Sequence, residues 1–192
     1  MAATYLLTDQ SKHYLCCYYQ ILDEMIQGIT TAKLTQSISR NLIAQIIPHH
    51  QAAIRMARNI LAVSDSTAIR RLAQRIADRR AQDIQQLEDT LAACGQDAAP
   101  QMDLRLYQRR MDLILREMFT QMGAAPEGNR LSALYLRQMI PHCRGAVSMA
   151  QNALRYEVSP ELDPILHTIA AQQRGDIRQM EALLRRMGCQ SQ

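Results

Sequence analysis

Apolar side chains recur along this chain at steps of three and four residues, the spacing that places them on one face of an α-helix. One such run near the start of the chain contains Tyr14, Tyr18, Ile21, Met25 and Ile29. No segment alternates between apolar and polar residues over a useful length, so the pattern predicts no β-sheet. It predicts six helices, at about residues 9–29, 37–63, 66–94, 102–122, 130–156 and 159–187.

Several helix ends carry sequence signals of their own. Ser159-Pro160-Glu161 combines a capping hydroxyl, a proline for the first turn and an acid for the positive end of the helix dipole. This segment therefore predicts the start of the last helix. Gly95, Gly123 and Gly188 follow apolar runs, and we expect them to end their helices because glycine readily adopts the left-handed conformation.

The chain repeats itself at a distance of 93 residues. When residues 14–91 are aligned with residues 107–184, 24 of the 78 positions are identical. Such repetition predicts two similar halves related by a pseudo-twofold axis. We expect one compact all-α domain spanning 1–192, with three-helix repeats at 9–94 and 102–187. The second and third helices of each half should form a four-helix core, and the first helices should pack alongside.

Composition and charge exclude several classes of protein. The formal charge is +4, and the arginines mostly alternate with acids, so we expect no nucleic-acid partner. The one dense run winds around a helix and predicts a solvated face; it contains Arg70, Arg71, Arg75, Arg79 and Arg80. No stretch is long and apolar enough to span a membrane. Five cysteines in no disulfide pattern, and no leader-like start, predict a reduced cytoplasmic protein.

The second helix of each half carries a histidine on its apolar stripe. His49 and Met56 share one stripe in the first half, and His142 and Met149 share the equivalent stripe in the second. Their recurrence in two halves that differ at most other positions favours a role beyond packing. The candidate site residues are neighbours on these two helices: His49, His50, Met56, Met139, His142, Cys143 and Met149.

Imidazole, thioether and thiol groups form a soft ligand set, which suits Cu(I) better than Mg²⁺ or Ca²⁺. We therefore predict a metal-binding bundle with Cu(I) favoured, while Zn²⁺ or no metal at all stays open. Asp83 and Asp176 could add ligands from the third helices, or could simply pair with arginines. The alternative is a structural or interaction bundle, such as a spore-coat component, with core histidines that only pack. Homo-oligomerisation stays open.

An enzyme is not expected. A di-iron carboxylate site needs Glu-x-x-His pairs on facing helices, and this chain has none. His142 and Cys143 are adjacent, so their side chains diverge around the helix and form no productive pair by themselves. His13 and His167 are expected to be surface or packing residues, and Cys16 and Cys17 point in different directions.

The string Ile-Pro-His-His-Gln-Ala-Ala-Ile-x-Met-Ala, which begins at Ile47, is followed by a helix with Asp-Ile-x-x-Leu. This pattern resembles the domain of unknown function 305 family, and the resemblance covers both repeats. It implies a ferritin-like helical bundle, in a family with some members associated with copper or silver binding. Carried over by position, the implied ligands are His49, His50, Met56, His142 and Met149.

The chain also departs from that family pattern. Cys143 replaces the second histidine in the second repeat, and Ile46 replaces a methionine that Met139 retains. Arg80 stands at a glutamine position that Gln173 keeps, and both Asp83 and Asp176 shorten a glutamate. Thiol and thioether ligands prefer soft monovalent ions. We therefore expect the second half to hold Cu(I) or Ag(I) more tightly, and the first half to accept more kinds of metal.

Overall fold

The first helix, α1 (Asp9–Thr30), begins where the Thr8 hydroxyl accepts a hydrogen bond from the Ser11 N–H. Ser37 caps α2 (Ile38–Leu61) in the same way, which satisfies an otherwise unpaired donor of the first turn. The other helices are α3 (Thr67–Ala93), α4 (Gln101–Gly123), α5 (Leu131–Ala153) and α6 (Leu162–Cys189). The computed structural model describes residues 6–93 and 98–189, and this part of the chain contains no strand.

The prediction of an all-α bundle is confirmed, but two details of the helix ends are wrong. α6 begins at Leu162 instead of Ser159, because Pro160 and Glu161 form a turn in which the Ser159 carbonyl accepts the Leu162 N–H. Gly188 lies within α6, and no described glycine has a positive φ. α4 does end at Gly123, without the left-handed conformation. Gly95 lies outside the described residues.

The second helix of each half is its structural centre. α2 packs against α1 and α3, and α5 packs against α4 and α6. The halves join through contacts between α2 and α5 and between α3 and α6. α1 packs on α2 and α4 packs on α5, and their buried side chains join the same hydrophobic core as those of the other four helices. This packing explains why α5 is buried on most of its surface along nearly its whole length.

Equivalent hydrogen bonds recur in the two halves. The Asn59 side chain donates to the Tyr14 carbonyl oxygen at 3.0 Å, and the Asn152 side chain donates to the Tyr107 carbonyl oxygen at 3.0 Å. Each bond ties the first helix of its half to the second. Since the paired residues are 93 positions apart, the sequence repeat is also a repeat of contacts.

Other bonds join the halves to each other. The Tyr14 hydroxyl donates to Gln138 Oε1 at 2.8 Å, and the Tyr18 hydroxyl donates to the Met122 carbonyl oxygen at 2.9 Å. Both tyrosines are almost fully buried, and burial raises their pKa values well above the usual range. They therefore act as neutral donors across the interface. None of the helices in the described residues is long and apolar enough to cross a membrane.

The contact between α4 and α5 depends on a small residue. A Cβ atom added to Gly145 would overlap the Met118 side chain, whereas one added to Gly175 would meet only Arg178 Nη2 at 3.9 Å. We expect Gly145→Ala to lower the free energy of unfolding by about 1–2 kcal/mol through overpacking. Gly175→Ala should raise it by about 0.5–1 kcal/mol, because alanine favours a helix over glycine.

Urea unfolding of both single variants measures this difference. Introducing Gly145→Ala into a Met118→Ala background supplies the control, since the overlap is then removed and the substitution should become stabilising. If the Gly145→Ala variant were as stable as Gly175→Ala, α4 would be able to move away from α5 at this contact without loss of stability.

Candidate functional site

Histidines from the two halves meet at the centre of the bundle. The rings of His49 on α2 and His142 on α5 stack with their centroids 3.7 Å apart and their planes at 29°. His49 Nε2 lies 3.1 Å from the His142 carbonyl oxygen, and His142 Nε2 lies 3.1 Å from the His49 carbonyl oxygen. Both side chains are fully buried. The two halves therefore share one histidine centre, and do not form two separate ones.

The carbonyl contacts determine where the ring protons lie. A carbonyl oxygen only accepts hydrogen bonds, so Nε2 of each ring carries its N–H. Burial, followed by the neighbouring imidazoles, lowers the pKa of His49 well below 6.5 and that of His142 to about 3. Both rings are thus neutral with a bare Nδ1, and His142 Nδ1 has no hydrogen-bond partner. Metal-binding histidines use this arrangement, in which one nitrogen donates to a carbonyl and the other faces the ion.

His50 is the third histidine of the cluster. Both of its polar neighbours accept hydrogen bonds, and it cannot donate to both. Its Nδ1 lies 3.4 Å from His49 Nδ1, and its Nε2 lies 3.4 Å from Asp83 Oδ2. Burial lowers the pKa of His50, although the Asp83 carboxylate opposes this. A neutral imidazole has a single N–H, so it can serve either the bare His49 nitrogen or the carboxylate, but not both. A cation between the two Nδ1 atoms would remove this conflict.

An arginine lies beside the histidines in the core. Arg80 is fully buried; its Nη1 donates to Asp83 Oδ2 at 2.6 Å and its Nη2 donates to Asp176 Oδ2 at 3.1 Å. The prediction that Arg80 belongs to a solvated face is therefore wrong. The physical reason is that two buried carboxylates, one from each half, compensate the guanidinium charge. Arg79 and Arg75 approach the other Asp176 oxygen from partly exposed positions.

The two aspartates occupy equivalent positions but titrate differently. Burial raises the pKa of Asp83, but His50 and Arg80 outweigh this effect and the net shift is downward. For Asp176 burial dominates and raises the pKa, against the arginines that surround it. The difference arises because the repeat places an imidazole, His50, against Asp83 and a thiol, Cys143, near Asp176. The sequence left open whether these aspartates act as metal ligands or pair with arginines, and in the structure both pair with arginine.

The remaining predicted ligands are sulfur groups in the same core. Met56, Met139 and Met149 are fully buried, on the same helices as the histidines. Cys143 is also buried, and burial raises the pKa of its thiol to about 12. The thiol is protonated at neutral pH. It is therefore no activated nucleophile, and it must lose its proton before it can bind a metal.

The sequence reasoning did not name the arginine that pairs with Asp83, and it missed one further contact. The buried Arg80–Asp83 pair has the i,i+3 spacing at which helix side chains meet. On the exposed face of α1, Cys17 Sγ lies 3.8 Å from His13 Nε2. Their i,i+4 spacing was the available signal.

Imidazole nitrogens suit transition metals such as copper, zinc or nickel better than Mg²⁺ or Ca²⁺. Within residues 6–93 and 98–189, no group of three or more histidine, cysteine or acidic side chains is placed to hold an ion together. His49 Nδ1 and His50 Nδ1, which lie 3.4 Å apart, are the nitrogens that would hold such an ion.

Several solved structures share the fold of this chain. A DUF305 fragment from Deinococcus radiodurans has the same fold with a TM-score of 0.57 and 27% identity, covering 81% of this chain and 98% of that chain. CopM in its apo form matches with a TM-score of 0.57 and 26% identity, covering 77% of this chain and 96% of that chain. The Ag-bound form of CopM, prepared by soaking, matches at 24% identity over 77% and 95% of the two chains with the same TM-score.

No curated protein sequence is significantly similar to this chain. The family model described as "Domain of unknown function (DUF305)" matches residues 39–184, which cover both His49 and His142 and most of the two repeats. The chain therefore belongs to the DUF305 family.

Proposed function

We propose that this protein is a non-enzymatic helical bundle that binds a transition-metal ion through imidazole nitrogens at its core, with Cu(I) or Ag(I) favoured. The observation that carries the proposal is the reciprocal bond of each central histidine to the carbonyl of the other. This bond leaves a bare Nδ1 on each ring in a buried site, and the Nδ1 of His142 has no hydrogen-bond partner. A buried polar atom without a partner is unfavourable unless a ligand satisfies it.

The relatives support a metal as the ligand. CopM, which shares this fold, has been solved in an Ag-bound form and in a Cu(II)-bound form. The soft character of the donors favours a monovalent ion. When bound, the ion would be held as cargo or as a stabilising group.

The proposed ligands differ in how readily they can bind. His49 Nδ1 and His50 Nδ1 are the nearest pair, and His142 Nδ1 is a further bare nitrogen. The thioethers of Met56, Met139 and Met149 are buried on the same two helices and need no deprotonation to bind a soft ion. Cys143 ranks last, since its raised thiol pKa opposes the thiolate form. This ranking makes His50 more important than Cys143, and moves the centre of binding towards the first half.

A structural or interaction bundle is the second candidate function. The observation that favours it is the pairing of Arg80 with Asp83 and Asp176, which satisfies the core carboxylates without any metal. In that case the histidines serve only to pack the helices, and adding metal should leave the stability unchanged.

Thermal and urea unfolding with and without Ag(I) separates the two candidates. A ligand at about a hundred times its dissociation constant adds about 2.7 kcal/mol of stability, so we expect a gain of this size for the wild-type site. His49→Leu and His142→Leu should lose the Ag(I)-dependent gain. They should also lower metal-free stability by about 1–2 kcal/mol, because each removes one buried hydrogen bond and the ring stacking.

The other cysteines of the chain would bind Ag(I) by themselves, so the experiment needs a background in which Cys16, Cys17, Cys94 and Cys189 are serine. His167→Leu is the matched control, because His167 is exposed and should keep the full gain. If Ag(I) stabilises the wild type and both core variants equally, the core histidines are not the ligands. If it stabilises none of them, the structural function stands.

A further inference from the structure

A histidine and a cysteine meet on the solvent-facing side of α1. Cys17 Sγ lies 3.8 Å from His13 Nε2, which belongs to the preceding turn of the helix. His13 is exposed and Cys17 is partly exposed, so a dissolved ion can reach both atoms. Side chains four residues apart lie on the same face of a helix. The backbone of α1 therefore holds a nitrogen donor and a sulfur donor next to each other at the surface.

The packing that the two halves share does not require this pair. The equivalent positions 93 residues later are Leu106 and Arg110 on α4, and neither of these side chains binds metal ions. The outer helix of the second half thus forms with an apolar and a basic residue at these two places. An imidazole beside a thiol is a feature of the first half alone, and the repeated fold gives no structural reason for it.

The charged side chains around the pair have partners of opposite charge. Arg55 on α2 is close enough to Cys17 for the two to interact electrostatically, and it forms an ion pair with Glu24. Lys12, which precedes His13 in the helix, pairs with Asp9 at 3.0 Å. A cation bound at the Cys17 sulfur would therefore meet positive charges that carboxylates already compensate.

The two donor atoms are close enough to share one ion. At bond lengths such as those of zinc, about 2.0–2.1 Å to nitrogen and about 2.3 Å to sulfur, a single ion reaches both donors when they lie within about 4.4 Å of each other. The separation of 3.8 Å between His13 Nε2 and Cys17 Sγ meets this condition. One ion between them is thus compatible with the observed side-chain positions.

The number and type of the donors favour a soft monovalent ion. Thiolate sulfur selects ions such as Cu(I), and Cu(I) and Ag(I) accept two ligands, whereas Zn²⁺ in proteins is held by four ligands or by three and a water. Within the described ranges 6–93 and 98–189, no third histidine, cysteine or acidic side chain joins such a pair. Two donors alone would hold Zn²⁺ only weakly.

We propose that His13 and Cys17 form a surface binding site for one Cu(I) or Ag(I) ion, separate from the histidine centre of the core. On binding, the S–H bond of Cys17 breaks, its proton passes to the solvent, and a bond between sulfur and metal forms. His13 supplies the lone pair of Nε2 and keeps its proton on Nδ1. Because the site is open to solvent, a competing ligand can reach the ion and remove it. The pair therefore suits the uptake and exchange of a soft ion.

The test measures how Cu(I) protects Cys17 from alkylation by iodoacetamide, without oxygen and at free Cu(I) concentrations set by a chelating dye. Serine at Cys16, Cys94 and Cys189 leaves Cys17 as the accessible thiol, since Cys143 is buried. Mass spectrometry reports the alkylation of Cys17, and each variant is compared with its own metal-free rate. We expect half-protection in this background, and none with Zn²⁺ at the same free concentration.

His13→Ala should raise the free Cu(I) concentration for half-protection by at least about tenfold, because the loss of even an indirect partner of a metal ligand costs 10–100-fold in affinity. His167→Ala is the matched control at another exposed histidine and should leave the value unchanged. Circular dichroism should show the same helix content in both variants, since neither side chain is part of the core.

The outcomes separate this site from the core centre. His49→Leu should leave the protection of Cys17 unchanged, because the two sites share no ligand. Equal protection in His13→Ala and its parent would show that the thiol binds the ion alone, and would overturn the pair. Unprotected Cys17 in the parent would overturn the surface site altogether, whether or not the core histidines bind metal.

Discussion

Asp83→Asn is expected to lower the free energy of unfolding of the metal-free protein by about 3 kcal/mol, because breaking a buried ion pair leaves an incompletely compensated charge in the core. Asp83 accepts a 2.6 Å hydrogen bond from Arg80 and lies 3.4 Å from His50 Nε2. The asparagine has nearly the same shape, so the loss reports the charge and not a cavity. Urea unfolding at neutral pH measures it.

Asp176→Asn should be milder, with a loss of about 1 kcal/mol or less. The two carboxylates contact the same guanidinium, but the pKa of Asp83 is lowered in the folded protein and the pKa of Asp176 is raised. A raised pKa means that the fold favours the uncharged form, so a neutral side chain is tolerated there. Asp78→Asn is the control, because Asp78 is exposed and lies on α3 together with Asp83. It should hardly change the free energy of unfolding. Equal losses for Asp83→Asn and Asp176→Asn would contradict this reading of the cluster.

Acidification is expected to destabilise the metal-free protein strongly between about pH 7 and pH 5. The pKa of each central histidine is lowered from 6.5 in the folded state, and that of His142 falls to about 3. Below pH 6.5 the unfolded chain therefore binds protons that the folded protein excludes, and protonation favours unfolding. The stability of the fold is therefore unaffected by these histidines above the pKa that they have in the unfolded chain, and it decreases as the pH falls below that value. Each histidine that stays fully unprotonated in the folded protein lowers the free energy of unfolding by about 2 kcal/mol over this range.

The sum should be about 4 kcal/mol, because His50 contributes less and the raised pKa of Asp176 acts in the opposite direction. Guanidinium unfolding at a series of pH values measures the slope. His142→Leu should reduce the slope, since it removes one titrating group, whereas His167→Leu at an exposed position should leave it unchanged. A stability that is flat from pH 7 to pH 5 would mean that the core histidines are not held neutral.

The helices were largely predictable, since apolar spacing depends on local geometry. The steps of three and four residues located all six helices of the described chain to within a few residues. Errors occurred at the ends, where a turn at Pro160 competes with a helix start and where Gly188 remains helical. Propensity is a weak prior at such positions because tertiary contacts select among states of similar energy.

The sequence by itself determined that this protein is an all-α bundle of two repeated halves with buried histidines, because periodicity and repetition are visible in one dimension. Only the tertiary structure decided what those histidines face. The stacking of His49 on His142 joins residues 93 positions apart in the two repeats, and the burial of Arg80 depends on Asp176 reaching it from another helix. A charge is buried only where distant partners compensate it, and no local pattern records which partners the packing brings together.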